Sequence, residues 1–277
     1  MSGQPFIIAV AQSRCWPGDI AGNIDRMRPL IAEAAQAGAR LVLFAEAGVT
    51  GYTPTCPTLT IGDTHCLELQ ALAKQFGLVI VAGFMERNGA HIHISQGAVF
   101  PTGQFVVQRK ARPGPPEHNI PNWQPGPDER VVFTVDGVRC AIAICADAGI
   151  PDLRNTLARQ SVELLLLPTA GCGPRSWGFS EASLDDPQQL EEYVKKAATV
   201  VFSGDAIRDS RRHRIALVAC NQMADNGVDY FHPGHSMIVD STGELVALIP
   251  GCFVFEHLRE RVVWGAIHPQ KPRVVLP

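Results

Sequence analysis

The sequence has few charged residues and no dense block of one sign. Asp, Glu, Lys and Arg make up 18% of the 277 residues, and the formal net charge is −3. Nucleic acids and anionic membranes attract proteins through extended positive patches, so this balance argues against either as the main partner. The one dense basic run, residues 208–214, is interrupted by Asp209 and His213 and is interpreted as a solvated loop.

Long apolar runs and paired cysteines are also missing. No stretch approaches the ~20 apolar residues of a membrane span, and residues 1–12 carry neither a basic leader nor a signal-peptide core. The eight cysteines are scattered without a Cys-x-x-Cys pair, which argues against a disulfide framework. A chain of this length can bury a large core without such staples. We therefore expect a soluble protein of the reducing cytoplasm.

Short apolar runs recur along the chain, and their length and their Val, Ile and Leu content predict buried strands. The predicted strands are residues 6–11, 40–44, 78–83, 131–135, 139–144, 163–167, 215–219, 236–239 and 245–249. Helical spacing of apolar residues predicts helices over residues 20–34, 67–76 and 186–203, the first capped by Asp19 and the third by Asp186. The predicted apolar face of the third helix comprises Leu190, Tyr193, Val194, Ala197 and Val201.

Turn-forming residues predict three hairpins, at residues 100–104, 135–138 and 240–244. Alternating strands and helices together with hairpins indicate an α/β fold, with a mixed sheet covered by helices. No shift in composition marks a linker, so we predict one domain over residues 1–277. Residues 111–127 contain six prolines and cannot form a central strand or a helix interior. A loop of this length is usually functional, and Trp123 favours an ordered one.

Three predicted strand ends each deliver one reactive side chain. Glu46 follows the strand LVLF, Lys110 ends the hairpin strand FVVQR, and Cys145 leaves the strand CAIAI just before a proline-started helix. Open α/β sheets place their sites at such strand ends. The positive end of a following helix would favour the thiolate of Cys145.

The three side chains suit a nucleophilic mechanism. A free thiol with a pKa near ~8.5 is only a few per cent ionised at neutral pH, so it needs a base. Glu46 can take the thiol proton if burial raises its pKa. Lys110 and the backbone N–H of Ala146 can donate hydrogen bonds to the oxyanion of a tetrahedral intermediate. Glu117, in the proline-rich loop, could hydrogen-bond Lys110 or orient the hydrolytic water.

Taken singly, each of these side chains has an ordinary structural explanation, since most cysteines at strand ends are simply packed. The sequence motifs around these side chains make their combination a specific signal. Residues 44–52 read FAEAGVTGY, residues 109–110 read RK, Glu117 is followed by Trp123 and PG at 125–126, and residues 144–153 read ICADAGIPDL. Further words follow at residues 166–168 (LLP), 220–221 (CN) and 234–240 (GHSMIVD).

In these motifs, which extend from about residue 8 to residue 248, the sequence resembles the nitrilase superfamily, the carbon–nitrogen hydrolases. The resemblance implies a four-layer α-β-β-α sandwich, in which two mixed sheets are flanked by helices, and a homodimer or higher homo-oligomer. It also implies Glu46 as base, Lys110 as oxyanion stabiliser, Cys145 as nucleophile and Glu117 as supporting acid. A covalent thioester would form with release of ammonia or an amine, and no cofactor or metal is implied.

Several positions depart from the family's words. Ala45 replaces the usual proline, Ala146 replaces an aromatic neighbour of the cysteine, and ARP stands at residues 111–113 where histidine-leucine is common. The asparagine-tryptophan word after LLP is replaced by TAGCGP at residues 169–174. That segment often shapes the substrate pocket, so the substrate does not follow from the resemblance. The segment 173–214 is a candidate interface or pocket lid.

We expect a small-molecule substrate, either a carboxamide or an N-carbamoyl compound. Candidate substrate-binding residues are Tyr52, Ala146, Thr169, Arg112 and Arg175. The two arginines could pair with a substrate carboxylate, although each is equally consistent with a surface charge. Nitrile hydrolysis by the same residues is the alternative reaction.

Three other classes of function were weighed. A metal-dependent hydrolase could use two histidine pairs, His91 with His93 and His232 with His235, but no Asp or Glu accompanies them at ligand spacing. A binding protein that has lost turnover is disfavoured because all four reactive side chains are present. A serine hydrolase is disfavoured because no Gly-x-Ser-x-Gly word occurs.

Overall fold

The computed structural model describes residues 5–55, 57–198, 203–227 and 230–275. Its helices are α1 (Ile20–Gln36), α2 (Thr64–Phe76), α3 (Leu153–Arg159), α4 (Pro187–Ala198) and α5 (Ser203–His213). Its strands are β1 (Phe6–Gln12), β2 (Leu41–Leu43), β3 (Val79–Asn88), β4 (His91–Val99), β5 (Phe105–Arg109), β6 (Val132–Val135), β7 (Val138–Ile142), β8 (Leu164–Thr169), β9 (Gly173–Pro174), β10 (Ala216–Asn221), β11 (Met223–Asp225), β12 (Tyr230–Pro233), β13 (Ser236–Val239), β14 (Leu245–Ile249) and β15 (Arg261–Ile267).

Two six-stranded mixed sheets form the centre of the molecule. The first has the order β15-β1-β2-β3-β4-β5, and β1, β2 and β3 run parallel at its centre. The second has the order β14-β13-β10-β8-β7-β6, and β10, β8 and β7 run parallel. Antiparallel strands complete both sheets on each side. A small third sheet has the order β11-β12-β9.

Side chains of the central strands alternate between the two faces of each sheet, and this alternation produces the layers. Ile8 and Val10 of β1 belong to the core between the two large sheets, whereas Ala9 packs with the apolar face of α1. In the same way Leu166 of β8 faces the first sheet, and Leu165 packs with α3. Because side chains alternate with a period of two, each central strand is buried on both faces. The predicted four-layer α-β-β-α sandwich is therefore confirmed.

Most predicted elements lie where the sequence placed them. All nine predicted strands are present with ends shifted by at most five residues, and the three hairpins are confirmed by β4–β5, β6–β7 and β13–β14. The N-terminal caps Asp19 and Asp63 accept backbone hydrogen bonds from α1 and α2. In the described part of the chain, no helix has the length and apolarity needed to cross a membrane.

The third predicted helix is only partly correct. Helix α4 begins at Pro187 as expected, but Val201, the last member of the predicted apolar face, lies outside the described residues. Two members of the predicted apolar face are solvent-exposed, Leu190 at 42% and Val194 at 57%. Only a narrow stripe of α4 is covered, because the helix rests on a small aromatic cluster rather than on a broad sheet.

The interpretation of the basic run as a loop is wrong. Residues 208–213 are the C-terminal half of helix α5. Ala206 and Ile207 of that helix pack against the outer face of the second sheet. The burial of these apolar side chains fixes the helix and leaves its arginines on the solvent side.

Candidate active site

Glu46 lies three residues beyond β2, at the carboxyl end of the parallel strands of the first sheet. Its side chain is fully buried. Gln222 donates a hydrogen bond from Nε2 to the backbone oxygen of Glu46 at 2.6 Å, and Gln96 donates one to the backbone oxygen of Phe44 at 3.1 Å. Because these contacts come from both sheets, the loop that carries Glu46 is held between them.

Lys110 directly follows β5 and is also buried. Its Nζ donates a hydrogen bond to Oε1 of Glu46 at 2.7 Å and a second one to Oε1 of Glu117. Glu117 is placed by the short 3-10 turn Pro115–Asn119 in the proline-rich loop, and the hydroxyl of Tyr52 donates to its Oε1 at 2.9 Å. We call Glu46, Lys110 and Glu117 the Lys110 cluster.

The Lys110 cluster has one ammonium between two carboxylates in a site without solvent contact. Burial raises the pKa of Glu46, and Lys110 only partly opposes this shift. Burial disfavours the charged form of Lys110 as well, but attraction from Glu46, Cys145 and Glu117 outweighs it and raises the pKa of Lys110. The lysine therefore stays charged at neutral pH, and the glutamate is more basic than usual.

Cys145 follows β7 and begins the 3-10 turn Cys145–Gly149. It has a backbone φ of +49°, a left-handed conformation that is uncommon for a non-glycine residue. The charges of Glu46, Lys110 and Glu117 all act on the pKa of the Cys145 thiol, which places the sulfur near the Lys110 cluster. The structure therefore brings together all four side chains that the sequence predicts as the reactive set.

The surroundings of Cys145 favour the protonated thiol over the thiolate at rest. Burial raises the pKa of Cys145 to about 12, and Glu46 adds to this shift, whereas Lys110 opposes it. The predicted helix does not follow directly, since α3 begins only at Leu153. The thiol therefore holds its proton until a base removes it.

Asp147 organises the backbone around Cys145. Its Oδ1 accepts hydrogen bonds from the backbone N–H groups of Ala111 and Arg112, both at 2.9 Å. Its Oδ2 accepts from Nη1 of buried Arg130 at 2.5 Å and from the backbone N–H of Ile144 at 3.1 Å. This Asp147 cluster, Asp147 with Arg130, ties the turn after Lys110 to the turn of Cys145.

The Asp147 cluster and Gln222 were missed by the sequence reasoning. Asp147 stands inside the word ICAD, which was the available signal, but its backbone partners lie 35 and 36 residues away. Gln222 reaches Glu46 across 176 residues. No local sequence pattern predicts contacts between residues that lie so far apart in the chain.

Thr169 and Ala146 both lie close to Cys145, and their role as substrate-binding residues stays a prediction. Thr169 ends β8 and lines the same cavity as Cys145, where its hydroxyl donates to Oδ1 of Asn221 at 2.9 Å. Ala146 is half-buried on the turn after the nucleophile candidate. Near it, the backbone N–H of Ala170 donates towards the sulfur of Cys145 and counteracts the rise in its pKa.

The two candidate arginines lie at the surface, in agreement with the alternative interpretation as surface charges. Arg112 forms an exposed ion pair with Asp128 at 2.8 Å, and Arg175 forms one with Asp225 at 2.6 Å. Neither lines the cavity that contains Cys145. Tyr52, the fifth candidate, uses its hydroxyl on Glu117, so it supports the Lys110 cluster.

The histidine pairs do not form a metal centre in the part of the chain that is described. Within residues 5–55, 57–198, 203–227 and 230–275, no group of three or more His, Cys, Asp or Glu side chains is arranged to hold a metal ion. His93 contacts the backbone oxygen of Gln124 through Nδ1 at 2.8 Å. Burial lowers the pKa of His232 to about 4, so that ring is neutral at physiological pH.

The two sheets, the buried Glu–Lys–Glu arrangement and the adjacent cysteine define a class of protein. The chain belongs to the carbon-nitrogen hydrolase family, whose model matches residues 7–251. The predicted family is thereby confirmed.

Individual relatives differ in how much of their length aligns with this chain. The N-carbamoylputrescine amidase of Solanum tuberosum is 28% identical over 296 residues, which cover 96% of this chain and 92% of the amidase. The arylacetonitrilase of Arthroderma benhamiae is 29% identical over 153 residues, 49% of this chain and 46% of the nitrilase. The chain thus matches less than half the length of that relative.

The fold is shared with solved amidase structures. A variant of the amidase from Nesterenkonia sp. AN1, with acrylamide added to its active-site cysteine, superposes with a TM-score of 0.72 at 20% identity, covering 94% of this chain and 92% of the amidase. A cysteine-to-alanine variant of the same amidase in complex with butyramide gives a TM-score of 0.71 at 19% identity, covering 95% and 91%. At these identities the likeness concerns the fold.

Proposed function

We propose that this chain hydrolyses a non-peptide C–N bond in a small carboxamide or N-carbamoyl compound through a thioester on Cys145. The observation that carries the proposal is the meeting of a cavity-lining thiol with a buried, abnormally basic carboxylate that Lys110 contacts at 2.7 Å. A thiol nucleophile, a base and a fixed cation are the components of nucleophilic acyl transfer.

In the first half-reaction Glu46 takes the proton of the Cys145 thiol while the sulfur attacks the carbonyl carbon. Charge then develops on the carbonyl oxygen, where Lys110 Nζ and the backbone N–H of Ala146 donate hydrogen bonds. Glu46 passes its proton to the nitrogen of the tetrahedral intermediate. The C–N bond breaks, and ammonia or an amine leaves a thioester on the sulfur.

In the second half-reaction water attacks the thioester and Glu46 takes its proton. The C–S bond breaks, the carboxylic or carbamic acid is released, and the sulfur regains a proton. The carboxylate of Glu117 accepts a hydrogen bond from Lys110 and holds its ammonium in place through both steps. Its Oε2 is buried and has no hydrogen-bond partner among the described residues, so it is available to orient that water.

Relatives support the choice of an amide or carbamoyl substrate. One relative that matches nearly the whole chain is named an N-carbamoylputrescine amidase, and a structural neighbour holds butyramide. The aligned arylacetonitrilases favour nitrile hydrolysis as the second candidate. Ammonia release from matched amides, N-carbamoyl compounds and nitriles separates the two, since activity on nitriles alone contradicts our choice.

The decisive variant is Cys145→Ala, with Cys145→Ser beside it. Both are expected to lose turnover by at least ~10³-fold, because no other group supplies the nucleophile. Mass spectrometry of the wild-type protein during turnover should detect an acyl adduct on the peptide that contains Cys145. The mass of that adduct also identifies the acyl part of the substrate.

The matched control is Cys252→Ala, which removes a half-buried thiol that packs against a different cluster. It should keep full turnover. If Cys145→Ala retains activity while folded, or if the adduct maps to another cysteine, the proposed mechanism is wrong.

The setting of the enzyme is also proposed. We infer a single domain, a cytoplasmic location and a homodimer or larger homo-oligomer. Exposed apolar side chains on α4 and on the edge strands β14 and β15 support the oligomer, among them Leu190, Val194, Leu245 and Trp264. The segment 173–214 remains a candidate interface or lid.

A further inference from the structure

A cavity of about 400 Å³ extends from Cys145 along the outer face of the second sheet. Its lining runs from Asn221 at the end of β10 back to Leu217, which is four residues and about 13 Å along the strand. Helices α3 and α5 cover this face, and Arg154 and Asp209 come from them. The volume is typical of a small-molecule site.

Most polar groups in this cavity already have partners. The Asn221 side chain accepts from Thr169 Oγ1 and Gly171 N, and it donates to the backbone oxygens of Gly171 and Gly234. Arg208 forms ion pairs with both aspartates of α5, with Asp205 at 2.8 Å and Asp209 at 3.2 Å. The hydrogen bonds and ion pairs of these groups therefore stabilise the wall of the cavity.

Arg154 differs from them. Its side chain is partly exposed overall, but its Nη1 atom is buried and has no hydrogen-bond partner among the described residues. Asp209 attracts it, yet no described carboxylate comes within 4.0 Å. Burial lowers the pKa of Arg154, and Asp209 offsets this only in part. A buried guanidinium nitrogen without a hydrogen-bond partner destabilises the fold unless an anion binds to it.

We propose that Arg154 binds a carboxylate of the substrate. The substrate is then an amide or N-carbamoyl compound that carries a carboxylate remote from the C–N bond, such as the monoamide of a dicarboxylic acid or an N-carbamoyl amino acid. The apolar lining of the same cavity, which includes Leu167, Leu217 and Ala219, takes the methylene spacer. This inference rests on the proposed function of Cys145.

The charges on α5 do not argue for a cationic substrate. Asp205 and Asp209 share Arg208, and the side chain of Asp205 is 74% exposed. An ammonium would have to compete with that arginine and lie beside Arg154. Arg154 is the one cation of the cavity that has no ion pair among the described residues. A carboxylate carries the charge opposite to that of Arg154.

The test compares three amides of equal chain length, glutaramate, pentanamide and 4-aminobutanamide. Wild-type kcat/KM should favour glutaramate by about 10- to 100-fold, the effect of one hydrogen bond to a charged group. Arg154→Met should remove that preference, because kcat/KM for glutaramate should fall far more than kcat/KM for pentanamide. Arg154→Lys should retain part of it, because lysine keeps the charge but not the bidentate geometry.

Arg159→Met is the matched control. It removes an arginine from the same helix, where Arg159 pairs on the surface with Asp152, and should leave the preference unchanged. Equal losses for glutaramate and pentanamide in Arg154→Met, or a wild-type preference for 4-aminobutanamide or pentanamide, overturn the proposal.

A second measurement covers the case in which Arg154→Met does not fold. Glutarate should inhibit wild-type hydrolysis of pentanamide about 10-fold or more better than pentanoate, and equal inhibition counts against Arg154. Failure of the proposed function looks different. Pentanamide turnover would then survive in Cys145→Ala, whatever the effect of Arg154.

Discussion

Two buried groups of charges lie side by side in this molecule, and they are built differently. The Asp147 cluster has one carboxylate, whose two oxygens accept four hydrogen bonds, one of them from Arg130. The Lys110 cluster has two carboxylates for one ammonium, and Oε2 of Glu117 has no partner among the described residues.

The difference separates structural from chemical roles. A fully hydrogen-bonded carboxylate is stable as it is and gains nothing from accepting a proton. A carboxylate in surplus, with burial raising its pKa, can take a proton and return it. The Asp147 cluster ties the turn after Lys110 to the turn that carries Cys145, whereas the Lys110 cluster contains the candidate base. We infer that one positions the site while the other performs the proton transfers.

The largest expected effect is on the reaction, from Glu46→Gln. The amide keeps the shape and can still accept a hydrogen bond from Lys110, but it cannot take a proton from the thiol. We expect kcat/KM to fall by about 10²- to 10⁴-fold. The free energy of unfolding should change by only about 1 kcal/mol, because the lost ion pair is offset by the loss of a buried charge. Steady-state kinetics and denaturant unfolding measure the two effects.

The pH profile checks that Glu46 is the base. Because its pKa is raised, kcat/KM should fall as pH drops through a value above ~4.3, the ordinary pKa of glutamate. The stability effect has the opposite direction. The wild-type fold should lose stability as pH rises from the unfolded-state pKa to the folded-state pKa, and Glu46→Gln should not. An unchanged acidic limb in the variant would assign the base to another group.

The matching change in the other cluster, Asp147→Asn, should act on stability. It leaves the buried Arg130 without its counter-charge and places an amide N–H₂ among donors. Removing one partner of a buried pair costs about 3–5 kcal/mol, which denaturant unfolding at neutral pH measures.

The contrast with Glu46→Gln is the informative result. Activity of the folded Asp147→Asn protein should fall less than that of Glu46→Gln, since no proton-transfer group is lost. If Asp147→Asn is as stable as wild type and as inactive as Glu46→Gln, the division between the two clusters is wrong.

The fold could be predicted where local patterns were strong. The central strands are apolar on both faces, so residues 6–11 or 163–167 are evident from composition alone. Strand β15 was missed, although it pairs along all of β1, because Gly265 and the exposed Trp264 interrupt its apolar pattern. Its position depends on β1, which lies about 250 residues earlier, and no local sequence records that.

The reactive set could be predicted because Glu46, Lys110 and Cys145 are chemically matched and each follows a recognisable strand. The supporting residues could not. Arg154 has the form of an ordinary surface residue on a short helix, and its lack of a partner is visible only once α5 is packed beside it. Unsatisfied groups are a property of the folded arrangement.

The smallest expected effect tests how firmly the Lys110 cluster is held. Tyr52→Phe removes one hydrogen bond to Glu117 and leaves the ring in its buried site. We expect the unfolding free energy to fall by about 1 kcal/mol and kcat to fall by about 2- to 10-fold, because Lys110 still contacts Glu117. KM should hardly change, since the hydroxyl contacts Glu117. A rise in KM at constant kcat would instead place Tyr52 against the substrate, as its sequence position suggested, and the Lys110 cluster would then be held by its own charges alone.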